Sequence, residues 1–583
     1  MKSRRVSIDW RSSSRDFRSR LSSALVALSL LACVLPTRAD EPLPEAAADL
    51  SARVGEVYTS SRSRTVVVRG ELAEKPDATT SGTGAVLAPG LVVTCAHVVE
   101  DAANLEIVLP DGRRFPARRL GMHRTADIAL LAVEVPGLEP FPIRTGPPEP
   151  GEWVLALGHP GGAAADLEPA PAVGRVLSTG YNLTETGTGR VYNDMVATDV
   201  PIFQGNSGGP LVDLAGNLVG MNAAISVQDG LAYAVPSARI LEALPRLRKG
   251  ESIETPPVPG RTISPPGASA ARRAALAETF RPVARRASGW IVRLLVEDRH
   301  LGHGVILSPD GVVLAPHFLV EPYRTVQVRL PDGDIVEGLV GAVDHRLGLA
   351  AVRVARRDLA VPELAPRNEM ALGRIALSLG TDRRVLGVGL VGSLGREVTR
   401  EKLERLFETL AGFDLEPLSP PVDLSPVLQH DTPLAVGDLG SPLVDLDGRL
   451  LGINVSNTVR GATYAAPAYL LREAARELAA GRDVLPAPRP FLGLDLRELT
   501  TAELGERKVD GGLLVTGVLP GFCAERAGVL AGDLLIALGG STIRVPEQLA
   551  ELLSSMRPGN TTAVRVLRDG RSHDFRVTLD SAP

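Results

Sequence analysis

The chain has 583 residues, too many for one hydrophobic core, and a prior of roughly 150 residues per domain suggests three or four units. A net charge of −5 excludes bulk attraction to nucleic acid. Aromatics at 4% are sparse while Gly, Val and Leu are abundant, a composition that predicts short aliphatic strands joined by tight turns.

The first residues carry a positive head (Lys2, Arg4, Arg5, Arg11, Arg15, Arg18, Arg20), then an apolar stretch from Leu21 to Pro36, then Thr37-Arg38-Ala39. The stretch is short for a membrane span, which needs about 20 residues. Residues 1–39 are therefore expected to be an export signal cleaved after Ala39. An uncleaved anchor is the alternative, and Leu30-Leu31-Ala32-Cys33 offers a third outcome, lipidation at Cys33. Export predicts a periplasmic or otherwise extracytoplasmic protein. Beyond this segment only Cys95 and Cys523 remain. They form no disulfide framework, and no His/Cys cluster has metal-ligand spacing in the sequence.

Three motifs follow in order. His97 ends the apolar run Val92-Val93-Thr94-Cys95-Ala96-His97, and Asp127 opens another, Asp127-Ile128-Ala129-Leu130-Leu131. Ser207 lies in Gly205-Asn206-Ser207-Gly208-Gly209-Pro210. A serine hydroxyl becomes a nucleophile when a base takes its proton and a third group orients that base. The order His…Asp…Ser is that of the double-barrel serine proteases. The triad expected is His97 as base, Asp127 as its orienter and Ser207 as nucleophile. The glycines let backbone N–H groups converge on one oxyanion. That oxyanion hole is assigned to the Gly205-Asn206-Ser207 stretch, with the N–H groups of Gly205 and Ser207 as the expected donors. Cys95 is expected to be a small buried filler.

An internal repeat organises the middle of the chain. Gly82-Thr83-Gly84 through His97 returns as Gly302-His303-Gly304 through His317 with identical spacing, and Gly208-Gly209-Pro210-Leu211 returns as Gly440-Ser441-Pro442-Leu443. In the second copy Gly348 stands at the place of Asp127 and Leu439 at that of Ser207. Its fold should survive and its chemistry should not. It also carries a longer stretch between Ser393 and Val427, with Leu403, Leu406, Phe407 and Leu410 at helical spacing. That stretch is expected to be a surface helix packed on its own domain, or an interface. A Pro-, Gly- and Ser-rich linker separates the copies.

The last segment contains Phe491-Leu492-Gly493-Leu494, Ala527-Gly528-Val529 and Gly532-Asp533-Leu534-Leu535-Ile536. It resembles a PDZ domain, in which the apolar-Gly-apolar loop binds a peptide carboxylate. Residues Phe491 to Leu494 are then the peptide-binding loop.

Together, the order of signal, trypsin-like protease and PDZ resembles the HtrA/Deg family of extracytoplasmic serine proteases. The resemblance implies a mainly β chain with two tandem trypsin-like double β-barrel domains followed by one PDZ domain. The expected divisions are 1–39 signal, 40–250 active protease, 251–280 linker, 281–482 inactive protease and 487–583 PDZ. It implies an endopeptidase that needs neither ATP nor metal nor other cofactor, acts on unfolded or peptide-tagged proteins, binds peptide C-termini and assembles as a homo-oligomer, often a trimer. The alternative is a largely non-catalytic chaperone or peptide-binding scaffold. Pro201 stands where Arg/Lys-selecting trypsins carry an acid, so an aliphatic specificity pocket lined partly by Ile202 and Ile225 is expected.

Overall fold

The computed structural model describes residues 45–583 apart from 73–74, 160–166, 185–190, 203–204, 227–230, 255–278, 399–422, 433, 458–461, 487 and 583. The export signal, the linker between the copies and the helical leucines of the 393–427 stretch lie outside the described residues.

Val66, Val67 and Val68 are fully buried on strand β1 (Thr65–Leu72), and so is every residue but one of β6 (Ile128–Val133). Strands with both faces covered belong to closed or stacked sheets. Here β1, β2 (Lys75–Ala88), β3 (Leu91–Thr94), β4 (Ala102–Val108), β5 (Arg114–His123) and β6 form an antiparallel sheet that closes through the β5–β6 pairing. A second barrel follows: β7 (Trp153–Gly158), β8 (Ala170–Thr184), β9 (Val191–Thr198), β10 (Pro210–Asp213), β11 (Leu218–Ser226) and β12 (Leu231–Pro236). In each, neighbours run first-second-third-sixth-fifth-fourth around the barrel. Two further barrels, between residues 291–354 and 375–467, repeat that order.

The repeat extends to single hydrogen bonds. Thr83 N–H donates to Ser207 O at 2.9 Å and His303 N–H to Leu439 O at 2.8 Å; Gly208 N–H donates to Asn222 O and Gly440 N–H to Asn454 O, both at 2.8 Å. The copies meet along β8 and the strand Val385–Val398. Asp431 is buried at this seam and accepts hydrogen bonds from Leu390 N–H of its own barrel and Val173 N–H of β8. The helix Glu45–Arg62 bridges them as well. Its Arg53 Nε donates to Leu214 O at 2.7 Å, while its Tyr58 ring packs against Gly373 of the second copy.

The C-terminal sheet runs from the edge strand Leu494–Glu498 through Leu513–Val518, Leu534–Leu538 and Thr561–Arg568 to Arg571–Thr578. It docks on the first barrel. Arg69 of β1 reaches Glu498 at 3.4 Å and Glu547 at 2.9 Å, and Arg114 of β5 donates to Leu499 O at 2.7 Å. Val545 completes an apolar cluster with Val67, Val108 and Leu167. Among the described residues no helix is long and apolar enough to cross a membrane.

Candidate active site

His97 sits on the one-turn helix Ala96–Val99 directly after β3, and Asp127 immediately precedes β6. Because β3 pairs with β6, the ends of the two apolar runs lie side by side. Asp127 adopts φ +56°, a conformation that Asp tolerates better than most residues. Its Oδ2 accepts from His97 Nδ1 at 2.7 Å and its Oδ1 from the His97 backbone N–H at 2.9 Å. The carboxylate has no solvent exposure, whereas the His97 side chain keeps 30% of its surface open. A buried carboxylate held at both oxygens fixes the tautomer that donates from Nδ1, which leaves Nε2 as the basic nitrogen. Tyr192 Oη, from β9, stands 3.5 Å from the same Oδ2.

Ser207 lies on the loop before β10, partly exposed between buried Asn206 and Gly208. Gly205 has φ +97°, and a Cβ on Gly208 would collide with Thr83 O and Thr94 Oγ1. A side chain at Gly208 therefore has no room where this loop meets the end of β3. Among the described residues neither the Gly205 nor the Ser207 N–H has a backbone acceptor.

Sequence reasoning missed the brace beneath this loop. Thr83 Oγ1 lies 2.7 Å from Gly205 O, 3.0 Å from His159 N and 3.1 Å from His159 Nδ1, all buried. Burial pushes His159 down to about 3, so its ring is neutral. Thr94 Oγ1 donates to Thr83 O at 2.7 Å. Asn222 O accepts both Gly208 N–H at 2.8 Å and the Cys95 thiol at 3.3 Å, tying the nucleophile loop to the histidine turn. The one sequence signal was Thr83 inside Gly82-Thr83-Gly84, which marked the repeat without revealing a role. The fold also brings one ligand atom each of Cys95, His97 and Asp127 within 4.8 Å of one another, a cluster that linear spacing concealed.

The expected pocket residues are not gathered into one cluster. Ile202 is 5% exposed and packs with Val154, Ala156 and Val200, while Ile225 is 41% exposed on β11. An aliphatic residue next to a buried strand is drawn into the barrel core first. Phe203 and Gln204 lie outside the described residues.

In the second copy, His317 N–H bonds Gly348 O at 2.9 Å, and Gly348 has φ +67°, close to the Asp127 backbone. No carboxylate extends from it. Leu424 Cδ2 would lie 2.8 Å from a Cβ on Gly348, and among the described residues His317 Nδ1 is buried without a hydrogen-bond partner. Leu439 is fully buried.

In the C-terminal unit, Leu492 is buried, Phe491 and Leu494 are half-buried, and Gly493 has φ +77° with Phe522 packed where its Cβ would be. Leu492 O and Gly493 O accept from Ala524 and Leu519 N–H, so the carbonyls of this loop are committed within the domain. It leads into the edge strand Leu494–Glu498, which among the described residues pairs with Leu513–Val518 alone. An open edge is where an extended peptide can add as a further strand.

Comparison with known proteins places these features. The sequence profile of the trypsin-like peptidase domain matches residues 82–221 and again 302–453, and that of the PDZ domain matches 490–579. The chain is similar to a probable periplasmic serine endoprotease, DegP-like, of Marinomonas sp. (strain MWYL1), with 27% identity over 295 residues, 48% of this chain and 57% of that protein. It is 24% identical over 292 residues to the DegP-like protein of Chlamydia muridarum, covering 48% of this chain and 54% of the relative. It thus spans little more than half the length of these curated relatives. Among solved structures, the HtrA-type protease AlgW with decapeptide matches 52% of this chain and 99% of its own, at 20% identity and a TM-score of 0.37.

Proposed function

The chain belongs to the HtrA/Deg family of trypsin-like serine proteases, and from that premise we propose that it is an exported serine endopeptidase acting on unfolded or peptide-tagged protein. The observation that carries this reading is the buried Asp127 carboxylate holding His97 through both oxygens beside the glycine loop of Ser207. Ser207 Oγ attacks the peptide carbonyl while His97 Nε2 takes its proton. Asp127 stabilises the imidazolium, and the N–H groups of Gly205 and Ser207 receive the oxyanion. The imidazolium then protonates the leaving amine, and water releases the acyl group by the same steps. Proton transfer and preorganised donors supply all of this, so no cofactor is assigned. The names of the relatives, periplasmic endoproteases, support a periplasmic location.

The second copy serves in this reading as a non-catalytic platform. His317 lacks its orienter and Leu439 its hydroxyl, so Leu439→Ser alone should not create activity. The Phe491–Leu494 loop and its edge strand hold the C-terminus of a peptide.

Degradation of unfolded casein by wild type and by Ser207→Ala tests the proposal, with a loss on the order of a millionfold in turnover expected. If the two proteins are equally inert and both suppress aggregation, the protein is a peptide-holding scaffold instead.

A further inference from the structure

One cluster in the fold adds a thiol, which proteolysis does not use, to the His97–Asp127 pair. Cys95, His97 and Asp127 present a thiol, an imidazole and a carboxylate whose ligand atoms all lie within 4.8 Å of one another. This donor set suits a borderline-soft divalent ion rather than the oxygen-seeking calcium or magnesium. Cys95 and Asp127 have no solvent exposure, while the His97 side chain is partly exposed. Thiolate, imidazole and carboxylate are all ligands that zinc accepts in proteins.

We propose that Cys95, His97 and Asp127 bind a zinc ion and that its binding reversibly switches the protease off. The switch rests on the reading of His97 as general base. Oδ1 of Asp127 is already bonded to the His97 backbone N–H, so Oδ2 faces Nδ1 across 2.7 Å without further reorientation. Zinc takes the place of the Nδ1 proton between them. Bonds of about 2.0–2.3 Å put tetrahedral ligand atoms roughly 3.3–3.6 Å apart. The Nδ1–Oδ2 pair therefore opens by roughly 0.6–0.9 Å, and no pair closes by more than about 1.5 Å. The Cys95 thiol gives up its contact to Asn222 O and releases its proton to solvent. The imidazole proton moves from Nδ1 to Nε2, so the ring stays neutral, one proton leaves per zinc bound and no electron is transferred. Nε2 then carries a hydrogen and cannot accept the proton of Ser207. The second copy shows that the barrel does not need the thiol or the carboxylate. Ala315, His317 and Gly348 occupy the three positions around the same Gly440 N–H to Asn454 O bond.

Cobalt(II) is the probe, because a cysteinate–cobalt bond gives a near-ultraviolet charge-transfer band. The full chain carrying Ser207→Ala, which cannot degrade itself, is titrated with Co2+ and then with competing Zn2+. A band saturating at one equivalent is expected. Zn2+ should displace it, Cys523→Ala should keep it, and both Cys95→Ala and Cys95→Ser should lose it. In the chain with Ser207 intact, zinc at roughly ten times its Kd should cut casein hydrolysis about tenfold, reversibly with EDTA. Cys95→Ala, measured against its own zinc-free rate, should be insensitive at that concentration. A titration without a thiolate band overturns the site, as does a band that survives Cys95→Ser or equal zinc inhibition of Cys95→Ala. A chain that shows the band yet never hydrolyses casein overturns the proteolytic reading and the switch with it, while the site stands.

Discussion

Thr83→Val removes one hydroxyl and keeps the shape of the side chain. In the folded protein that hydroxyl donates to Gly205 O at 2.7 Å and accepts His159 N–H at 3.0 Å, with every partner buried. Its loss strands a carbonyl and an N–H away from water, at about 1–3 kcal/mol each. A local cost of about 3 kcal/mol follows once partial relaxation is allowed, equivalent to roughly a hundredfold in an opening equilibrium. Because the chain folds as several units, the effect is read locally rather than from a melting midpoint. Hydrogen exchange at His159 and Gly208 amides should accelerate by about that factor, and kcat for casein should fall more than KM rises, since the loosened loop carries the oxyanion donors proposed above. Thr83→Ser, which keeps the hydroxyl, should recover most of both. Unchanged exchange and unchanged kcat in Thr83→Val would refute the idea that Thr83 braces the Ser207 loop.

Arg69→Met should loosen the C-terminal unit from the first barrel by about 2 kcal/mol. That is below the roughly 3–5 kcal/mol of a fully buried broken pair, because the Glu498 and Glu547 side chains keep 27% and 20% of their surface exposed and Glu498 retains Arg114. Faster exchange at Val545–Gln548 reports it, and Glu547→Gln in the same chain should recover part of the loss. Burial pushes Asp431 up from its ordinary 3.8 to about 7, so the folded protein binds this proton more tightly than the unfolded chain. Stability at the seam is therefore fully present below about pH 4 and lost as pH rises toward 7, by at most about 4 kcal/mol. Protection of the Val173 amide, followed from pH 4 to 8, should fall in that window; a flat profile counts against the buried carboxylate. Proteolysis should instead rise with pH, because only a neutral His97 ring accepts the serine proton. A flat rate from pH 5 to 8 argues against a histidine base.

The order and flanks of His97, Asp127 and Ser207, the repeat that replaces two of them, and the PDZ-like tail were legible without coordinates. Each is written in a few consecutive residues whose spacing reflects a local turn or strand. Gly348 and Leu439 were readable as losses for the same reason, since matching glycines and strands pinned the alignment on either side. What escaped were groups whose partners lie far along the chain. Thr83 meets Gly205 across 122 positions and His159 across 76, and only barrel closure decides that they touch. Ile202 looked like a pocket residue because it precedes the nucleophile loop, yet the apolar interior beside Val200 claims its side chain. Cys95 looked like filler, and it is buried. Pairing of β3 with β6 adds the nearness of its sulfur to His97 and Asp127, which no spacing along the chain could express. The sequence by itself determined the covalent order of the chemistry and the kind of fold that presents it. The tertiary structure decided which distant polar groups satisfy one another, because a buried donor takes whichever acceptor the closed barrel sets within about 3 Å.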